Sequence, residues 1–548
     1  MDASSTTIPR TLQRGPPPPP NVPATVSLPK LRGYDTHELT IVDLQRHFAK
    51  RQFTSADYVA HCLDHIHRTN PYLEAVIETN PDALSIARER DLEREAGHVR
   101  GPLHGVPVLV KDNMATQDAM QTTAGSWALL GSVVPRDAFV VDRLRAAGAV
   151  VLGHSNMCEW FSIRSRSYST GFSPRGGQTR NPYDLSRDPG GSSSGSAVGV
   201  AANLVPIALG TETDTSIITP AAQNGIVGIK PTVGLTSRSG VIPASENLDS
   251  VGPFGRTVAD AVAVLDAIAA PDEDDPFTTV HERQQPSSYL SCLATREALR
   301  GARFGLVMKR CWESAPEEDK AVARRVFDAL HRAGAEIVEV DLPSVDERVG
   351  ESGSWDWEHG APDASEFTVC RADAYRGINA YLAGLEDGPV RSLEEVVAYN
   401  RANAGTEGGV AGVAPAFPDG QPYFEEVVSC GGVRDETYHK ALAHIRRQTR
   451  ENGIDAALRG LDALLFCDRP RIGQQYAAQA GYPIVCIPIG VNAKGAPVAL
   501  SLQHTAWRED VLIKWASAIE DLWNRENGWR PLPTFRNLHA KNVPIEKW

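Results

Sequence analysis

The sequence predicts an α/β protein: a single α/β/α layered unit built around a mixed, twisted sheet. Three observations lead there. Short apolar runs of strand length alternate with amphipathic stretches of helical period. The alternation appears early in the chain and again after residue 300, with no internal repeat. The chain has 548 residues, 42% of them hydrophobic, ample for one large core.

Taken in order, residues 1–34 ("MDASSTTIPRTLQRGPPPPPNVPATVSLPK…") are rich in proline and read as a disordered or polyproline II arm. The amphipathic stretch "TSADYVAHCLDHIHRTNP" (54–71) has hydroxyl caps and places Val59, Cys62, Leu63 and Ile66 on one face, predicting a helix that stops before Pro71. "NPDALSIARERDLERE" (80–95) offers Asn80 as a cap and Pro81 at the first helical position. "VPVLV" (106–110) suits a buried strand, and "DAFVVDRLRAAG" followed by "AVVLG" (137–153) reads as helix, glycine stop, strand. Residues 163–195 are polar, Gly- and Ser-rich and aperiodic; a loop of that length between apolar segments points to function. A small-residue helix at 197–204 and a strand at 205–210 follow. Further on, 302–308, 317–335 and 336–343 give strand, helix and strand, whereas 345–440 reads as an irregular embellishment that shapes the pocket. Strands at 462–466, 482–490 and 498–503 and an amphipathic helix at 510–523 complete the unit, which is taken as residues 35–548 with its chemical core at 100–270.

The totals narrow the function. A formal net charge of −13 disfavours nucleic acid or an anionic membrane as partner, since both require clustered Lys and Arg. No apolar run approaches the length of a membrane-spanning helix, and the N-terminus lacks the apolar centre of a secretory signal. The eight cysteines have no paired spacing, which fits free thiols in a reducing, cytoplasmic setting.

Three places could carry chemistry: Lys111 in "VLVKDN", the run "GGSSSGS" (190–196), and Ser216 in "GTETDTSIITP" (210–220). Singly, each has a plain reading as a solvated strand end, a linker or a polar turn. Together they fall in order at the ends of predicted elements, where α/β sheets build sites. A serine hydroxyl attacks well once a base removes its proton. A lysine is such a base when burial pulls its pKa from about 10.4 toward roughly 7–8. A second serine between them could relay the proton, and backbone N–H groups beside glycines could hold an oxyanion.

The segments "GPLHGVPVLVKDN", "TTAGSWALLG", "GGQTRNPYDLSRDPGGSSSGSAVGVAANL", "ALGTETDTSIITPAAQNGIVGIKPTVGLTSRSGVIPASENLDSVGPFGRTVADA" and "AGYPIVCIPIG…GAPVALSL" resemble the amidase signature family, and nearest the peptide amidases and their fungal relatives. The likeness is dense over roughly residues 38–270 and returns at 460–525. It implies a Ser–cisSer–Lys triad: Lys111 as base, Ser192 as the bridging serine on a cis peptide, and Ser216 as the nucleophile that forms an acyl-enzyme. It further implies an oxyanion hole from the backbone of Thr213, Asp214, Thr215 and Ser216. The substrate would be a small-molecule or peptide amide, with no metal and no organic cofactor, and a homodimer is conceivable for such an enzyme.

The chain departs from the family at several points. Thr215 stands where the family has glycine, His154 where relatives have lysine, and "FCDRP" (466–470) replaces a small-residue and Pro/Thr stretch. Thr215 opens an alternative, an amidase-fold binding protein whose catalysis is impaired. Two rival motifs are weaker. "GGSSSG" fits G-x-S-x-G with Ser193 central, but no strand precedes it as a nucleophile elbow requires. His61 and His65 lie four residues apart without a third ligand, so a solvated helix face is the better reading than a metal site.

Overall fold

A computed structural model describes residues 22–279, 286–348, 361–528 and 530–548. Its frame is an 11-stranded mixed sheet. The strands are β1 (Val76–Thr79), β2 (Pro107–Lys111), β3 (Val150–Ser155), β4 (Ile207–Glu212), β5 (Val227–Lys230), β6 (Ser250–Gly255), β7 (Arg303–Val307), β8 (Glu336–Val340), β9 (Ala463–Cys467), β10 (Ile484–Val491) and β11 (Pro497–Gln503). Across the sheet they run β1-β3-β2-β4-β6-β5-β10-β11-β9-β7-β8. β3, β2 and β4 are mutually parallel, as are β9, β7 and β8. The pairings between these two groups, from β4 through β6, β5, β10 and β11 to β9, are antiparallel. The central strands β2, β4 and β6 are buried at every position, which is why they read as continuous apolar runs rather than alternating ones.

Several expectations need correction. Residues 1–21 lie outside the described residues, but 22–34 do not form a free arm: Val26 is 2% exposed and packs into the core. The helix predicted at 54–71, α1 (Ser55–Leu73), continues through Pro71. Proline sits in its last turn, two residues before the end. Asn80 does not cap the next helix, α2 (Ala83–Glu95); its side chain accepts the Asp82 N–H in the turn before it. The expected solvated face at His61 and His65 is buried instead, with His61 against Thr36 Oγ1 at 2.9 Å and His65 against the Ala202 carbonyl at 3.2 Å. Both imidazoles bond inward, and burial pushes His65 down to about 4.

The stretch expected to be irregular at 345–440 is largely helical where it is described; residues 349–360 lie outside the described residues. After α3 (Phe139–Ala146), α4 (Ser194–Ala201), α5 (Ile218–Gln223), α6 (Val258–Ile268) and α7 (Glu317–Arg332) come α8 (Glu366–Ala383), α9 (Leu393–Ala402), α10 (Pro422–Cys430) and α11 (Glu436–Thr449). The amphipathic signal of α8 is weak because it buries polar groups. Asp373 accepts from Ser245, Asn247, Tyr438 and Arg434, so a carboxylate sits where an apolar stripe is normally sought. α12 (Ile472–Ala480) and α13 (Glu509–Asn527) close the chain. Among the described residues no helix is long and apolar enough to cross a membrane.

The two ends of the described chain meet in a buried ion pair. Glu38, 1% exposed, lies 2.6 Å from Arg530 and accepts Asn203 Nδ2 at 2.8 Å. Breaking such a pair strands a charge in the interior, at about 3–5 kcal/mol. Arg530→Met is therefore expected to lower the urea midpoint of unfolding sharply, whereas Arg536→Met, whose exposed side chain lies 3.6 Å from Asp184, should lower it less. Equal midpoints for the two variants would refute this account.

Candidate active site

Three elements deliver Lys111, Ser192 and Ser216 to one place. Lys111 is the last residue of β2, fully buried, and its Nζ donates to Ser192 Oγ (2.7 Å), Thr211 Oγ1 (2.8 Å) and the Thr211 carbonyl (3.3 Å). Ser192 lies in the turn that feeds α4. That helix is built of small residues because it must approach the chain closely. A Cβ at Gly195 would stand 2.4 Å from backbone atoms of Ala75 and Asn156. Ser216 follows β4, and its turn is pinned by the buried Glu212 carboxylate, which accepts the N–H groups of Ile217 (2.6 Å) and Ile218 (2.9 Å).

Gly190 and Gly191 make the junction between the two serines possible. Gly191 has φ +24°, and a Cβ there would meet Pro220 Cδ at 2.8 Å and Ser216 Cα at 3.1 Å. Cys158 holds this turn from behind: its N–H donates to the Ser192 carbonyl (3.1 Å), its thiol faces the Gly191 carbonyl (3.5 Å), and its sulfur accepts the Gly171 N–H (3.0 Å). The C-terminal residues brace the approach to the turn, with the Trp548 indole N–H donating to the Asp188 carbonyl at 3.1 Å.

Two features differ from expectation. Among the described residues the cis peptides precede Pro470 and Pro544, so the Gly191–Ser192 bond is not the expected cis bond. With Gly191 in its unusual conformation, a trans bond suffices to bring Ser192 Oγ to Lys111. The two serine hydroxyls are also not bonded to each other. Ser216 Oγ accepts the Ser192 N–H (3.2 Å) and donates weakly to the Asp214 carbonyl (3.4 Å).

Thr215 has φ +59°, the left-handed region that disfavours β-branched side chains by about 1–3 kcal/mol. Thr215 thus holds a backbone conformation that glycine adopts without strain. As a result the N–H groups of residues 213–216 donate to no partner among the described residues, and all four residues line a cavity of about 340 Å³ together with Ser192. Asp249 steadies this array by accepting Thr213 Oγ1 at 2.5 Å.

Part of the cavity's lining was not evident from sequence. Phe161 and Ser162 come from just before the polar loop, Arg166 and Tyr168 from within it, Tyr423 from α10, and Arg471 and Gln475 from α12 and its N-terminal flank. Trp160, Phe161 and Ser162 all have positive φ, three strained residues in a row. A buried cluster holds them: Arg164 pairs with Glu159 and with the Glu407 carbonyl, and its guanidinium lies 3.9 Å from the centre of the Phe417 ring. Burial and the neighbouring Glu159 push Glu407 up to about 8, so one proton relieves the repulsion between the two acids. His154, another departure noted in the sequence, is buried against Asp112 Oδ1 at 2.8 Å.

Burial pulls Lys111 from an ordinary 10.5 down to about 7, with Cys158, Asp249 and Glu212 opposing weakly through their charges. Between those two pH values the unfolded chain binds more protons than the folded one, so stability rises with pH across that window. Below it the ammonium is charged in both states and the full burial cost remains. Lys111→Met should therefore unfold at higher urea than the parent near pH ~6.5, with the advantage shrinking toward pH ~10. A difference independent of pH would contradict the buried-lysine assignment.

The chain is similar to known proteins along most of its length. The amidase family profile matches residues 57–387. A candidate amidase of Schizosaccharomyces pombe is 46% identical over 531 residues, covering 94% of this chain and 90% of the relative. One of Arabidopsis thaliana is 41% identical, covering 89% and 90%. The crystal structure of the peptide amidase from Stenotrophomonas maltophilia superposes with a TM-score of 0.82 at 40% identity, covering 91% of this chain and 99% of that one. By fold, by sequence and by extent of the match, the chain belongs to the amidase family, the amidase signature enzymes.

Proposed function

We propose that this protein hydrolyses a carboxamide through an acyl-enzyme on Ser216, with Lys111 as base and Ser192 as the bridge between them. The observation that carries the reading is the contact at 2.7 Å between a lysine whose neutral form is accessible near pH 7 and a serine whose own N–H touches a second, cavity-facing serine. For attack, the Ser216 hydroxyl turns about its Cα–Cβ bond from the Asp214 carbonyl toward Ser192 Oγ, a change of rotamer. Its proton passes to Ser192 Oγ as the Ser192 proton passes to Lys111 Nζ. Ser216 Oγ bonds to the amide carbon, and the resulting oxyanion takes up the N–H groups of residues 213–216. Lysine then returns a proton through Ser192 to the nitrogen, the C–N bond breaks, and ammonia or an amine leaves. Water attacks the ester by the same path in reverse and releases the acid.

A primary amide of a small molecule or of a peptide C-terminus fits the reading, given the similarity to a peptide amidase. The impaired-binder alternative is less favoured because Thr215 adopts the left-handed backbone and the N–H groups of residues 213–216 have no partner among the described residues.

A panel of primary amides, peptide amides and aryl amides should reveal turnover that vanishes in Ser216→Ala, and a fluorophosphonate should label the parent but not that variant. A folded parent that is neither labelled nor active would refute the proposal. Thr215→Gly should keep kcat/KM within about threefold of the parent. A gain of the size that restoring one oxyanion donor brings, about 10²–10³, would instead mean that Thr215 misplaces the array.

A further inference from the structure

The lining of the cavity carries a charge that the hydrolytic reading does not use. Arg166 and Arg471 both line the cavity. Arg166 pairs with Glu426, and its guanidinium lies 5.3 Å from the centre of the Tyr423 ring, so its charge is committed. Arg471 differs. Its side chain is 37% exposed and makes no hydrogen bond among the described residues; its ion pair is a 4.0 Å contact with Asp188. Asp188 is meanwhile held more closely by Lys547 at 3.1 Å and by the Gly190 N–H at 2.7 Å. Lys547 also donates to Thr170 Oγ1, on the same cavity lining.

The acid in the lining, Asp214, forms no ion pair with Arg471 among the described residues. Asp214 sits among the buried carboxyls Glu366 and Glu212, and burial with their repulsion raises it well above the usual carboxylate range. Its one side-chain bond, from Gln475 Nε2 at 3.3 Å, supplies no charge. In a chain with a net charge of −13, the cavity thus presents a guanidinium whose ion pair with Asp188, at 4.0 Å, is shared with Lys547. If the leaving group is ammonia, everything else in the substrate belongs to the acyl part, and the anion that answers Arg471 lies there.

We infer that the amide hydrolysed at Ser216 carries a carboxylate in its acyl part, and that Arg471 is the specificity-determining residue that receives it. The inference rests on the amide-hydrolase reading above. A guanidinium offers a carboxylate two parallel N–H donors, which an ammonium does not, so the two basic side chains are not interchangeable here.

The test compares monoamides of straight-chain dicarboxylic acids of increasing length with the methyl esters of their free carboxyl ends. In the parent, the best acid should exceed its ester in kcat/KM by at least ~10-fold, chiefly through a lower KM, about the 1.4 kcal/mol expected for one added ionic contact. Arg471→Met should reduce the acid-to-ester ratio to near one by raising KM for the acid, and Arg471→Lys should restore part of it. A parent that turns over acids and esters equally, or an Arg471→Met variant that keeps the preference, overturns the inference while leaving amide hydrolysis intact. Calorimetric titration of Ser216→Ala with the same monoamides and esters reads the preference without turnover. Tighter binding of the acid, lost on adding Arg471→Met, supports the assignment, and equal binding refutes it. Turnover of the neutral esters by the parent, and its loss in Ser216→Ala, separately reports on the hydrolytic reading.

Discussion

The buried amine of Lys111 is the constraint around which the rest of the site is arranged. It lies at the end of a strand enclosed on both sides, and among the described residues it forms no ion pair. Its partners are two hydroxyls and a carbonyl, all of them neutral. A lysine so placed favours the neutral form, and neutrality is what a base needs. The nearby acids, Glu212 and Asp249, are engaged elsewhere, Glu212 with the Ile217 and Ile218 N–H groups and Asp249 with Thr213 and the Ala244 and Ser245 N–H groups. If either moved to pair with Lys111 it would restore the positive charge and silence the base. The same acids fix the backbone of the Ser216 turn. One set of bonds therefore both positions the nucleophile and keeps carboxylates away from the lysine.

Strain is spent around this centre and compensated at a distance. Thr215 and the run Trp160–Phe161–Ser162 hold left-handed backbone at the cavity. Glu159, Arg164 and Glu407 clamp one of these segments, and Glu212 the other. The C-terminal residues, through Trp548 and the Glu38–Arg530 pair, tie the loop before Gly190 to the body of the fold.

The parts legible in the sequence were those with a local period or a distinctive residue order. β2, β3, β4, β7 and β9 announced themselves as apolar runs, and Lys111, Ser192 and Ser216 as a fixed order of motifs. Thr215 stood out as the residue in a glycine's place, while the φ it adopts was settled only by the fold. What escaped was set by tertiary contacts. α8 hides because it buries Glu366 and Asp373, and α12 because "RIGQQYAAQA" is short and polar on faces that turn out to be enclosed. The histidines of α1 looked solvated because nothing local reports that Thr36 and Ala202 would cover them. Arg471 likewise has no local signature; it becomes a cavity residue because the flank of α12 packs against the Ser216 turn.

The pH dependence of kcat/KM for a non-ionising primary amide tests the central claim most directly. If neutral Lys111 is the base, the rate rises with pH through an apparent pKa of about 7 and then holds level. A profile flat from about pH 5.5 to 8.5 would contradict it, since no group titrating near neutrality would then govern the attack of Ser216.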